Sequence, residues 1–368
     1  MPIRVRGVMF SMLLCASCWA QSHAAGNPQQ MLANNDEEGV TESRSLRLMP
    51  VETILAPTEV ARGLGDLSCD SDGNLYLGSD SPAIPGIRKL GPRGELLATF
   101  APTDNPDVKV GGAGSFAVSQ GGDLYVVVFP DKEITRYVLI FKSDGTYKNK
   151  IKLQPGFAWV PASIAIFANG SLLMTGQEYV KGQPMAPFTG IFSAEGKLLK
   201  ELDLEDDKVI DGMALSGDPR VVSSSNPVSN RAVSWGKMQA ARDGNIYVML
   251  WLSPTVFYAV SPAGRVVRRF TVDSGRDDLM PMEMHISGDR IAVLFVQRET
   301  HETLMKVLDL EGHELATYDY DRPADGVSKS NVVHLGLAFA CYSAKPEHFT
   351  FLTTTDDHRI QLQLAEGR

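Results

Sequence analysis

The chain has 368 residues, a formal net charge of -9, 43% hydrophobic and 21% charged residues, with 33 Gly, 21 Pro and 4 Cys. With 15 Phe, 10 Tyr and 4 Trp it is too apolar for a disordered chain. The acidic balance argues against nucleic-acid binding, which draws on Lys and Arg against phosphate.

Residues 1–24 read as a secretory signal. Arg4 and Arg6 supply the positive start and Val8 to Leu14 the short apolar stretch. Small residues then precede two cleavage points, Cys18-Trp19-Ala20 before Gln21 and Ser22-His23-Ala24 before Ala25. The run is shorter than the ~20 residues that a bilayer span needs, and no later segment reads as transmembrane. Lipid anchoring at Cys18 is the less favoured variant, because Cys15 stands where Leu is expected. Cleavage removes two Arg and no acid, so the mature charge is -11. Export to the periplasm or the medium is expected. Residues 25–44 read as a polar, flexible leader, and 45–368 as a single domain.

One pattern fills that domain. A strand-like run enters a Gly turn and leaves as an apolar strand; a variable loop, another strand, a second Gly turn and a last strand follow. The first turn recurs as Asp72-Gly73-Asn74, Gly121-Gly122-Asp123, Asn169-Gly170-Ser171, Asp243-Gly244-Asn245 and Gly288-Asp289. The second recurs at Gly94, Gly145, Gly196, Gly264 and Gly312, spaced 51, 51, 68 and 48 residues apart. Asp-Gly and Asn-Gly suit tight hairpins because Gly accepts positive φ. Four antiparallel strands in roughly 40 to 50 residues make a β-propeller blade. Five periods are full. The sixth starts at Leu335 and lacks its fourth strand. The expected fold is therefore all-β, a six-bladed β-propeller closed by an N-terminal strand, about 45–55, on the last blade. That pairing removes an exposed sheet edge.

The turn–strand cores Asp72-Gly73-Asn74-Leu75-Tyr76-Leu77 and Asp243-Gly244-Asn245-Ile246-Tyr247-Val248, with late turns such as Phe141-Lys142-Ser143-Asp144-Gly145, resemble NHL-type six-bladed propellers. The architecture is also loosely similar to gluconolactonase-like lactonases. That second resemblance implies a divalent metal in the channel held by acidic and Asn ligands; Asp66 and Glu283 are the only acids at comparable positions.

Binding residues concentrate on loops carried by rigid scaffolds, so a site is expected on the variable-loop face. Alignment of the first strands on their Gly turns separates an apolar set from a polar one. Asp66, Ser115, Ser163, Lys237, Glu283 and His285 form the polar set and are candidate ligand groups at the channel mouth. Trp159 and Trp235 are candidate pocket walls, and His285, His301 and His334 fall on or near the same face. Residues 205–231 form an insertion, read either as a lid or as an excursion. No Gly-x-Ser-x-Gly elbow and no His-Glu-x-x-His helix is present. Asp70 to Asn74 resembles the start of a calcium loop but coincides with the recurring turn, with no Glu at the required distance.

Cys69 and Cys341 remain after cleavage, on first strands that the ring makes neighbours. In an oxidising compartment they are either a disulfide, which would stabilise by about 2 to 5 kcal/mol, or two buried thiols held beyond the bridging limit of about 7 Å. The leading expectation is a monomeric, non-enzymatic binding module for a protein or small ligand, without a cofactor. The alternative is a hydrolase or lyase of the gluconolactonase-like kind using one divalent metal such as calcium in the channel.

Overall fold

The Gly turns read from the sequence close hairpins. Gly73, Gly122, Gly170 and Gly244 have φ between 79° and 83°, in the left-handed region that favours glycine. The Asp70 carboxylate accepts from the Asp72 and Asn74 backbone N–H groups at 3.0 Å and from the Tyr76 hydroxyl at 3.2 Å. Asp243 does the same for Asn245 and Tyr247. Asp70 to Asn74 is thus a braced turn whose acid is used by its own backbone.

The structure, a computed structural model, describes residues 46–59, 64–79, 86–130, 135–179, 186–204, 236–297, 300, 302–320, 338–355 and 359–368. They belong to one compact unit, Arg44–Arg368. The signal, the leader, the 205–231 insertion, Trp235, His301 and His334 lie outside the described residues.

The described residues are strands apart from turns, loops and one short 3-10 turn at Pro102–Asp104. The first sheet holds β2 (Leu64–Cys69), β3 (Leu75–Ser79), β4 (Gly86–Leu90) and β5 (Leu96–Phe100). The second holds β6 (Val110–Val118), β7 (Leu124–Pro130), β8 (Tyr137–Phe141) and β9 (Tyr147–Lys152). The third holds β10 (Trp159–Ile166), β11 (Leu172–Glu178), β12 (Ala186–Phe192) and β13 (Leu198–Glu201). The fourth holds β14 (Lys237–Ala240), β15 (Ile246–Met249), β16 (Thr255–Val260) and β17 (Val266–Val272). Each is an antiparallel meander.

The remaining strands form one eight-stranded sheet rather than two separate ones. They are β18 (Met280–Ser287), β19 (Arg290–Val296), β20 (Thr303–Asp309), β21 (Glu314–Tyr320), β22 (Ala338–Ala344), β23 (Glu347–Thr354), β24 (Arg359–Gly367) and the N-terminal β1 (Leu46–Glu59). Their order is β18-β19-β20-β21-β1-β24-β23-β22. β1 runs antiparallel to β24 from Leu48 opposite Gly367 to Glu59 opposite Arg359. It meets β21 in parallel only at Leu46 with Tyr318 and Arg47 with Asp319. That short parallel contact is what joins the two halves into one sheet.

The first strands touch in cyclic order, β2, β6, β10, β14, β18, β22 and back to β2. Apolar layers fill the spaces between successive sheets. Leu75 and Leu77 of the first sheet meet Ala340, Leu352 and Leu362 of the last, with Ala56 of β1 among them. Elsewhere Phe100 meets Val126 and Leu139, and Leu173 meets Ile246 and Val248. Each fully buried Leu, Val or Phe contributes about 1.5–3 kcal/mol. The molecule is a β-propeller, with its first strands around a central channel.

Candidate functional site

In a strand, alternate side chains share a face. On the first strands this sends Leu67, Phe116, Ile164 and Met238 towards the neighbouring sheets. Asp66, Ser115, Ser163 and Lys237 go to the channel, where they line a cavity of about 410 Å³. This lies within the range of about 300–1,000 Å³ usual for small-molecule sites. The cavity continues to the first Gly turns, with Ser71, Ser119, Arg242 and Ser287 in its wall. The sequence reading placed the site on the opposite, variable-loop face. The described cavity is walled by the Gly-turn ends of the strands, while loops of the opposite face such as 205–235 and 321–337 lie outside the described residues.

Lys237 Nζ lies 2.9 Å from Glu283 Oε1, linking β14 to β18. Burial opposes the charge on Lys237. The Glu283 and Asp66 carboxylates outweigh it, and the ammonium is held above its ordinary value. Two residues along, Gln239 donates through Nε2 to the Ile286 carbonyl at 3.3 Å and accepts from the Ile286 N–H at 2.8 Å. Its amide replaces ladder bonds that separate sheets cannot make. The sequence reading missed Gln239, although it shares a face with Lys237 at the two-residue spacing. Ser115 Oγ is buried at the cavity wall with no hydrogen-bond partner among the described residues.

His285 stands apart from the rest of its set. It is 4% exposed and packed against the ring of Phe339 at 4.7 Å. Its Nε2 lies 3.1 Å from the Phe339 carbonyl and its Nδ1 3.8 Å from Cys69 Sγ. Cys69 is joined to Cys341 in a disulfide with a Cα–Cα distance of 5.5 Å, between β2 and β22. Trp159 is no pocket wall. It is buried, stacked on Phe192 at 5.5 Å and edge-on to Phe188 at 5.1 Å. Trp159 lies four residues before Ser163 and would share its channel face in a regular strand, but a register shift between Pro161 and Ser163 turns it into the core.

The metal implied by the lactonase resemblance does not fit these residues. The Lys237 ammonium stands beside Glu283 and feels Asp66, so the two acids already face a cation. Among the described residues no three His, Cys, Asp or Glu side chains converge as a metal site requires.

No family model matches the chain, and no curated protein matches it in sequence. In fold it is similar to a candidate exported protein from Bacteroides fragilis, at 10% identity over 90% of this chain and 97% of that one, with a TM-score of 0.52. It is also similar to the PQQ-bound form of aldose sugar dehydrogenase from Streptomyces coelicolor (10% identity, 88% and 99% covered, TM-score 0.46). A third similar structure is YCF48 bound to D1 peptide (12% identity, 87% and 97% covered, TM-score 0.39). At such identities the likeness is one of fold alone.

Proposed function

We propose that this chain is an exported six-bladed propeller of the NHL type that acts as a non-enzymatic binding module, holding a small polar ligand in its channel. The observation that carries the binding reading is the cavity itself. It brings the Lys237 ammonium, itself paired with Glu283, together with the Asp66 carboxylate and the Ser115 and Ser163 side chains around a volume suited to a small molecule.

The blade count rests on three repeating features. Six first strands follow one another in a closed cycle. Successive sheets share six apolar layers. The late-turn glycines each press on the outer strand of the sheet before: Gly145 on Thr99, Gly264 on Lys200, and Gly367, at the end of β24, on Tyr318. The β1–β21 contact is of the same kind as the isolated parallel bridge between Gln154 and Lys197, which joins the second and third sheets. On this reading the eight-stranded sheet is two blades, the last completed by β1. Export rests on the N-terminal signal pattern. Among the described residues no helix is long and apolar enough to cross a membrane.

The alternative, a metal-dependent hydrolase or lyase, draws on Asp66 and Glu283 and is opposed by the Lys237 ammonium, which pairs with Glu283 and feels Asp66. Metal analysis of the purified mature protein, coupled with a lactone-hydrolysis screen, separates the two. Binding without chemistry predicts substoichiometric metal and no turnover. One bound divalent ion together with lactone cleavage moves the chain to the hydrolase class.

A further inference from the structure

The seam between the first and last sheets carries a chemical arrangement that the binding reading does not use. Cys69, 7% exposed at the edge of the apolar layer that holds Leu67, is among the residues lining the channel cavity, and its disulfide partner Cys341 is 3% exposed. His285 approaches the same sulfur from β18, with Nδ1 3.8 Å from Cys69 Sγ. Its other nitrogen faces the Phe339 carbonyl at 3.1 Å. A carbonyl only accepts, so Nε2 of the neutral ring carries the hydrogen and Nδ1 turns its lone pair to the sulfur. The edge-to-face contact with Phe339, at 89°, and the burial of the ring fix this orientation. A sulfur at a cavity wall, a base beside it and a third group orienting the base are the parts that activate a nucleophile.

We infer that Cys69, Cys341 and His285 form a thiol–disulfide exchange site that opens on the channel and takes low-molecular-weight thiols and disulfides. In reduction, a small thiolate enters the channel and attacks Cys69 Sγ. The Cys69–Cys341 bond breaks, and its electron pair leaves with Cys341 as thiolate, which takes a proton. A second small thiolate attacks the outer sulfur of the mixed disulfide and expels the Cys69 thiolate. Two small thiols are thereby oxidised to one disulfide, and the protein disulfide is reduced to two thiols. In the reverse direction His285 Nδ1 takes the Cys69 proton and the thiolate attacks a small disulfide, releasing one thiol. Cys341 then attacks Cys69 Sγ and releases the second. With the disulfide intact, burial keeps the imidazole neutral; once Cys69 is freed beside it, thiolate and imidazolium are adjacent opposite charges, and each favours the charged form of the other.

The test uses the full mature chain, reduced with dithiothreitol under native conditions, freed of reductant, and reoxidised with 2-hydroxyethyl disulfide. The His285→Gln variant, which keeps a polar side chain without a basic nitrogen, is expected to reoxidise roughly a hundredfold more slowly with an unchanged circular dichroism spectrum. The Cys341→Ser variant is expected to take one mercaptoethanol adduct, on Cys69, without denaturant, and this arm decides if His285→Gln does not fold. Equal reoxidation rates for wild type and a folded His285→Gln, or a Cys69 in Cys341→Ser that stays inert until urea is added, would overturn the proposal. So would a native disulfide that is reduced no faster than the protein unfolds.

Discussion

With Cys69 and Cys341 joined, burial holds the His285 imidazole well below its ordinary value, at about 4; the Phe339 carbonyl opposes that shift and the Lys237 ammonium adds to it. The unfolded chain titrates near 6.5. Between these values the unfolded state binds a proton that the folded site refuses, so stability falls as the pH drops from 6.5 towards 4. The loss amounts to about 3 kcal/mol at the lower end. Urea unfolding of wild type and His285→Gln at pH 7 and pH 4.5 checks this. The variant should lose less stability on acidification; equal losses would show that His285 does not titrate in this way. At this scale the sequence was legible where alternation was regular. Ser163 and Lys237 reach the channel because no irregularity intervenes between them and the turns that set their phase, while Asp66 and Ser115 line it from inside the shifts at Leu64/Leu67 and Ala113/Phe116. Trp159 was not legible, since the register shift that reverses its face leaves no mark in composition. His285 keeps the expected place along its strand. Its burial follows from Cys69 and Phe339 closing over it from β2 and β22, and a single strand does not report its neighbours.

The hairpins were the most legible elements, because positive φ at Gly selects for the residue itself. Gly145 shows both demands at once. Its φ is 90°, and a Cβ there would come 2.6 Å from the Thr99 carbonyl oxygen of the sheet before. β1 was legible for a different reason: the repeat lacked one strand, and Ser45 to Leu55 was a strand-like segment without a place. The structure carries β1 on to Glu59 and sets it against β24. Its contact with β21 was not legible, since two parallel residue pairs leave no periodic trace. Leu48 anchors β1 at 2% exposure, in the apolar layer that holds Tyr318 and Phe349. Leu48→Ala should therefore destabilise the protein by about 2–5 kcal/mol, read as a lower urea midpoint with an unchanged slope. A loss of under about 0.5 kcal/mol, the range of ordinary surface changes, would mean that β1 does not seal the last sheet.

At the scale of the molecule the same ring accounts for the composition and the cavity. One repeated unit explains why Arg44–Arg368 form a single compact unit, and why so much of the glycine sits in turns. The first strands bring residues more than 200 positions apart, Asp66 and Glu283, to act with Lys237 in one channel. The central claim is that this channel binds a small polar molecule. Ser115→Leu tests it directly, since it puts a larger apolar side chain on a residue that lines the cavity. A thermal-shift screen of small polar metabolites against wild type and Ser115→Leu is the decisive measurement. The account predicts at least one compound that raises the melting temperature of wild type and leaves the variant unmoved. Compounds that stabilise both proteins equally, or a full screen without a hit, would contradict it.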